Sequence, residues 1–230
     1  MALRYLVTGS TGGLGLAVVD ELRRIDLDGA EVEVESLNRA DADFSSPQAV
    51  SNAILARSGA LGRGFDAIVH CAGAAAIQPL RMHRDHTFAD MMVAASCAYG
   101  ILRAAACDAV SEGGSIVLMS SVAAHRGTAG MAAYSAGKAA VEAMARCAAI
   151  ELAPRGIRVN CVAAGAFESP MHQRITKRMP AASRDAYEAR HPLGFGDARN
   201  VARTVVHLVS EGSSWTTGST VVVDGGFLAR

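Results

Sequence analysis

Residues 3–15 read Leu3-Arg4-Tyr5-Leu6-Val7-Thr8-Gly9-Ser10-Thr11-Gly12-Gly13-Leu14-Gly15. The first half is a short apolar run with the character of a strand. The second half is rich in glycine and leads into a stretch of helical period that starts near Gly13. Glycines in such a turn let the chain fold back sharply and let its backbone approach a pyrophosphate. The helix that follows offers free N–H groups and the positive end of its dipole. Gly9, Gly13 and Gly15 are the candidate glycines, with Thr11 and Leu14 beside them. No Gly-Lys-Ser/Thr follows, so this is not the loop that cradles a nucleoside triphosphate. The expected ligand is a dinucleotide.

Outward from this turn, strand-like and helix-like stretches alternate. Strands are expected over 3–8, 31–37, 67–70, 115–119, 157–162 and 220–223. Helices are expected over 13–27, 47–58, 85–111, 132–154 and 198–210. Several strands have few polar breaks, which suits coverage on both faces. The alternation predicts right-handed crossovers and a doubly wound parallel α/β sheet, a Rossmann fold, within a single domain over 1–230. Only six residues separate Ser36 from Asp43. A crossover between parallel neighbours needs about 10 to 12. Six main strands are therefore expected, with at most a stub near 40–44. Residues 166–196 carry Pro170, Pro180 and Pro192 among many charges and read as an inserted substrate loop.

Composition narrows the function. Of 230 residues, 50% are hydrophobic and 19% charged, which excludes a disordered chain. Lys and Arg total 22, as do Asp and Glu, so nothing favours a nucleic-acid partner. A neutral surface favours self-association. No apolar run approaches the roughly 20 residues of a membrane helix, and no signal peptide is recognisable, so a cytoplasmic enzyme without a membrane partner is expected. The five cysteines show no C-x-x-C spacing, and His83 and His86 lack a third ligand, so neither disulfides nor a metal is expected.

Tyr134 and Lys138 form a Y-x-x-x-K at the start of an alanine-rich helix. A spacing of four puts both side chains on one helix face. An ammonium beside a phenol favours the phenolate. A tyrosine tuned in this way can exchange a proton with an alcohol or carbonyl oxygen. Thirteen residues upstream, Ser121 ends a buried-looking strand, where open α/β sheets place ligands.

With these residues in hand, the chain resembles the short-chain dehydrogenase/reductase family along nearly its whole length. The matching motifs are Thr8 to Gly15, Asp43-Phe44-Ser45, His70-Cys71-Ala72-Gly73, the trio Ser121, Tyr134 and Lys138, Ala164-Gly165 with Ser169-Pro170-Met171, and Thr217-Gly218 with Val223-Asp224-Gly225-Gly226. Pro192-Leu193-Gly194 resembles a further family turn.

The resemblance implies hydride transfer between a nicotinamide cofactor and a secondary alcohol or ketone. Tyr134 would be the general acid or base. Lys138 would lower its pKa and hold the nicotinamide ribose, and Ser121 would position the substrate oxygen. Asp43 and Phe44 would meet the adenine, Cys71, Ala72 and Gly73 would line the cofactor, and Gly165, Phe167 and Ser169 would flank the nicotinamide. Long helices at 85–111 and 132–154 imply a homodimer or homotetramer. Two other readings are a catalytically idle nucleotide-binding scaffold and a dehydratase or epimerase.

The departures are specific. The family's asparagine is absent from Val93-Ala94-Ala95-Ser96-Cys97, where Ser96 is the best substitute. Where NAD-preferring members end the second strand with an acid, this chain has Ser36, with Arg39 nearby, which favours NADP(H) over NAD(H). Arg174, Lys177, Arg178 and Arg190 are candidates for holding an acidic substrate.

Overall fold

The computed structural model of the chain describes residues 2–24, 31–177 and 179–229. Its elements run β1 (Leu3–Thr8), α1 (Gly13–Arg24), β2 (Val32–Leu37), α2 (Pro47–Ala60), β3 (Phe65–His70), α3 (Asp85–Ala104), β4 (Val110–Ser121), α4 (Ala132–Leu152), β5 (Arg158–Ala164), β6 (Phe167–Glu168), α5 (Pro170–Thr176), α6 (Ala181–Glu188), β7 (Gly196–Asp197), α7 (Ala198–Val209) and β8 (Thr220–Val223). Six strands form one parallel sheet in the order β2-β1-β3-β4-β5-β8, and β6 pairs with β7 separately.

Side chains alternate across a strand, and here they feed two cores. Leu6, Ile68, Ile116, Leu118 and Cys161 face α2, α3 and α4. Tyr5, Val7, Val69, Val117 and Val162 face α1 and α7. Edge strand β2 alternates Val32 and Val34 with Glu33 and Glu35, and Arg4 of β1 pairs with both glutamates. Charges on an edge discourage pairing with another chain.

Two expected elements change. The helix expected over 85–111 stops at Ala104. The chain kinks at Cys107 and at Asp108, whose φ is 66°, and Val110 already belongs to β4. Apolar residues with helical spacing run straight into apolar residues of a buried strand, so periodicity alone hides the boundary. The stub near 40–44 is a turn with no strand pairing, and α2 starts directly after it. Ser46 caps α2 by accepting from the Ala49 N–H at 3.2 Å, with Pro47 in the first turn. The end of the helix expected over 13–27 lies outside the described residues. One segment, His86–Ala109, is long and apolar enough by composition to cross a membrane, which inspection of apolar runs misses. It packs between α2 and α4 as a core helix.

The strands all point their C-terminal ends the same way. That end gathers the glycine-rich turn, the 71–73 turn, Ser121 and the turn after β5.

Candidate active site

The glycine-rich turn is clamped by its neighbours. Gly9 N–H donates to the Leu37 carbonyl at 3.1 Å, and Cys71 N–H donates to the Thr8 carbonyl at 3.0 Å. Gly9 has φ +70°, and a Cβ there would stand 2.6 Å from Ala72 Cα. Only glycine allows that approach. Gly15 backs directly onto the Gly9 carbonyl, and Gly13 faces Ser169 and Pro170 of the inserted loop. Thr11 is exposed, while Leu14 packs on the core beneath. Exposed N–H groups at a helix start, a cradle without side chains and a wall across from it fit a dinucleotide's pyrophosphate.

A cavity of about 640 Å³ has a lining that includes Arg39, Asp43, Phe44, Ala74 and Asp90. Ser45 donates to the Asp43 carboxylate through both its N–H and its hydroxyl, which lowers the Asp43 pKa. The Phe44 ring is 3% exposed and packs in the core, so its backbone is what it can present. Arg39 is exposed and has no carboxylate partner among the described residues.

The end of β2 differs from the expectation for Ser36. Leu37, not Ser36, is the last residue paired with β1, opposite Thr8. The next residue, Asn38, reaches the glycine-rich turn: its side-chain amide donates to Ser10 Oγ at 3.1 Å. Ser36 is thus the last residue but one of β2, and Asn38 follows directly after the strand.

Ser121, Tyr134 and Lys138 come together. Ser121 ends β4, accepts from the Ala123 N–H at 3.2 Å and hydrogen-bonds with Tyr134. Tyr134 and Lys138 open α4, with Lys138 Nζ 5.9 Å from the Tyr134 ring centre. Lys138 is 6% exposed, and burial lowers its pKa to about 8. Burial pushes the Tyr134 pKa up, the Ser121 hydrogen bond opposes it, and Tyr187 adds to the rise. The Lys138 ammonium donates to the Met119 carbonyl at 2.7 Å, and its distance to Gly73 is short enough that a Cβ there would lie 3.6 Å away.

The sequence reading missed two buried polar groups behind these residues. Glu142 accepts from Ser120 Oγ at 2.5 Å and pairs with His125 Nε2 at 3.0 Å. It ties the loop after Ser121 to the helix that carries Tyr134. Its spacing of four from Lys138 puts it on the same helix face, which is the one signal the sequence offered. His70 is wholly buried, with Nε2 3.0 Å from the Ala94 carbonyl and Nδ1 2.8 Å from Thr8 Oγ1. A carbonyl only accepts, so Nε2 carries the proton and Nδ1 accepts from Thr8. Burial depresses the His70 pKa to about 3. Ser96 makes no direct hydrogen bond to Lys138 among the described residues.

The turn after β5 is held by Gly165 N–H donating to the Val223 carbonyl at 2.9 Å. Phe167 is half-buried against the α7 side of the core, and Ser169 caps α5 by accepting from the His172 N–H at 3.1 Å. The inserted loop is not irregular: it contains β6, α5, α6 and β7. Arg174 and Lys177 are exposed to solvent, Arg190 stacks on Phe227 with 4.7 Å to the ring centre, and Arg178 lies outside the described residues. Among the described residues no three His, Cys, Asp or Glu side chains are grouped to hold a metal.

Residues 16–228 match the family model described as enoyl-(acyl carrier protein) reductase. L-xylulose reductase of Bos taurus is 32% identical over 242 residues, covering 98% of this chain and 96% of that one. The 3-oxoacyl-[acyl-carrier-protein] reductase FabG of Pseudomonas aeruginosa is 32% identical over 240 residues, covering 96% and 95%. Among solved structures, an NAD(P)-dependent gluconate 5-dehydrogenase homologue from Beutenbergia cavernae with bound NADP at low occupancy superposes with TM-score 0.88 at 25% identity, covering 100% of this chain and 98% of that one.

Proposed function

The chain belongs to the short-chain dehydrogenase/reductase family and is an NAD(P)-dependent oxidoreductase, and from that premise we propose that it interconverts a secondary alcohol and a ketone. The observation that carries this reading is the meeting of Ser121, Tyr134 and Lys138 beside a glycine-rich turn that suits a dinucleotide. A nicotinamide nucleotide, when bound, supplies or accepts the hydride. Gly9, Thr11, Gly13, Leu14 and Gly15 take the pyrophosphate. Asp43 and the Phe44 backbone meet the adenine, with Cys71, Ala72 and Gly73 along one side and Gly165, Phe167 and Ser169 at the nicotinamide. Ser121 hydrogen-bonds the substrate oxygen, and Tyr134 gives that oxygen its proton or takes it. Lys138, already charged at neutral pH, turns from the Met119 carbonyl to the ribose and the tyrosine, and there it lowers the tyrosine pKa.

NADP(H) is the preferred cofactor in this proposal. Arg39, with no carboxylate partner among the described residues, lines the cavity beside Asp43 and suits a 2′-phosphate. No carboxylate ends β2 to repel one. A structural relative that holds NADP agrees with this choice. The protein acts as a homo-oligomer of single-domain protomers, with 166–196 as the substrate loop. Its expected compartment is the cytoplasm, in keeping with five free cysteines. The test is a titration with NADPH and with NADH, followed by nicotinamide fluorescence. Arg39→Ala should weaken NADPH about tenfold and leave NADH unchanged. Equal binding of the two nucleotides would remove the preference, and binding of neither would favour an idle scaffold.

A further inference from the structure

Glu142 holds a carboxylate in the packing between α4 and β4, where only 7% of its side chain meets solvent. Its Oε1 atom accepts from two donors. Ser120 Oγ reaches it at 2.5 Å and His125 Nε2 at 3.0 Å. An ionised carboxylate only accepts, so Nε2 carries a proton. The two donors bracket Ser121. Ser120 precedes it in β4, and His125 follows the short turn Val122–Ala124, which Ser121 caps by accepting from the Ala123 N–H. The His125 and Arg126 N–H groups both donate to the Val122 carbonyl, which makes that turn a compact unit. One carboxylate oxygen thus fixes the chain on either side of the serine.

The other end of the link is the helix that carries Tyr134. Glu142 stands one turn beyond Lys138 and two beyond Tyr134, on the face of α4 that carries both. The Ser120 hydroxyl also lies 3.3 Å from the Lys138 carbonyl. Packing does not explain the acid. Leu118, Ala145 and Cys161 belong to an apolar core on the same side of the sheet, and an apolar side chain would fill the place of Glu142 without desolvating a charge. What the carboxylate adds is its two hydrogen bonds, and both act on the segment that holds Ser121.

We propose that Glu142 is a positioning residue for the reaction: through Ser120 and His125 it sets the Ser121 hydroxyl against Tyr134, so that the substrate oxygen meets both. The inference rests on the roles given above to Ser121 and Tyr134. Turnover is sensitive to such placement, since a shift of about 1 Å can cost about 100-fold.

The test reads the contact between Ser121 and Tyr134 without a substrate. The chain has four tyrosines, so NMR of protein labelled at the tyrosine ring carbon that bears the hydroxyl gives few signals, and the one lost in Tyr134→Phe is that of Tyr134. Ser121→Ala gives the position of that signal with the contact broken. Glu142→Leu should move it to the same place. The double variant should coincide with Ser121→Ala, because a residue that acts through Ser121 then has nothing left to act on. Ser120→Ala, which removes a single hydroxyl, should move the signal part of the way, and it decides the matter if Glu142→Leu does not fold. Glu142→Gln, which keeps an acceptor for both donors, should stay near the unaltered protein. With 2-butanone and the reduced nicotinamide nucleotide, Glu142→Leu should lower kcat by about 10- to 100-fold and leave the nucleotide dissociation constant unchanged. A Tyr134 signal unmoved by both Glu142→Leu and Ser120→Ala overturns the inference, as does a double variant displaced beyond Ser121→Ala. Either result leaves the oxidoreductase reading standing. Signals that move as expected in an enzyme whose turnover survives Tyr134→Phe overturn that reading, and the catalytic part of the inference with it.

Discussion

The environment of Lys138 changes its chemistry. Burial lowers its pKa from 10.5 to about 8, so its charge is lost in the range where an ordinary lysine keeps it. If that charge holds the ribose, nucleotide affinity should fall as pH rises through about 8. The dissociation constant for NADPH, measured from pH 6.5 to 9.5, should show that break, and Lys138→Ala should bind weakly and flatten the profile. The same shift acts on stability. Between about 8 and 10.5 the unfolded chain binds the proton and the folded chain does not, so this group makes stability rise with pH over that window. Tyr134 should separate chemistry from binding. Tyr134→Phe keeps the ring and removes the transferable proton, so turnover should fall by roughly 10²- to 10⁴-fold with nucleotide affinity nearly unchanged. An unaltered rate would point to the idle or non-redox readings.

At the scale of elements, His70 is a pin through three of them. It ends β3, accepts from Thr8 at the end of β1 and donates to the carbonyl of Ala94 in α3. Its pKa falls from 6.5 in the unfolded chain to about 3 in the folded one. The unfolded chain therefore binds the extra proton between those values, and the stability that depends on neutral His70 is lost as pH falls below about 6.5. Chemical denaturation at several pH values should show this as a slope of about 1.4 kcal/mol per pH unit. His70→Asn should remove that slope while keeping some of the hydrogen bonding. The crossing of α3 and α4 depends on a glycine. A Cβ on Gly137 would stand 2.6 Å from the Met91 carbonyl oxygen. Gly137→Ala should therefore part the two helices and cost about 1 to 3 kcal/mol. Because Gly137 lies between Tyr134 and Lys138, turnover should suffer more than nucleotide binding.

At the scale of the whole molecule, the outer faces of α3 and α4 are too apolar for open water. Phe88 and Tyr99 are 54% and 50% exposed on α3, and Ile150 is 78% exposed on α4, with small Ala139 and Ala143 in reach of the same face. Small residues let helices approach closely, and the net charge of zero does nothing to keep copies apart. Light scattering after gel filtration should give a dimer or tetramer. Ile150→Glu should shift it to a smaller species by placing a charge in the contact, and an unchanged mass would place the interface elsewhere.

The sequence by itself determined the layout of this protein. The run from Leu3 to Gly15, the six strands and the relation of Ser121, Tyr134 and Lys138 were legible because strand period, helix period and turn chemistry are local. A spacing of four on a helix is a distance as well as a count. What depended on burial or on distant partners was not legible. Thr8 and His70 are 62 residues apart in the chain and 2.8 Å apart in space. Asn38 beside Ser10 follows from strand register. Only the fold revealed that Glu142 pairs with His125, that Lys138 turns to a backbone carbonyl and that Tyr134 is pushed away from ionisation. Whether a histidine is a solvated charge or a buried, partnered ring depends on what surrounds it, and tertiary structure alone supplies those surroundings.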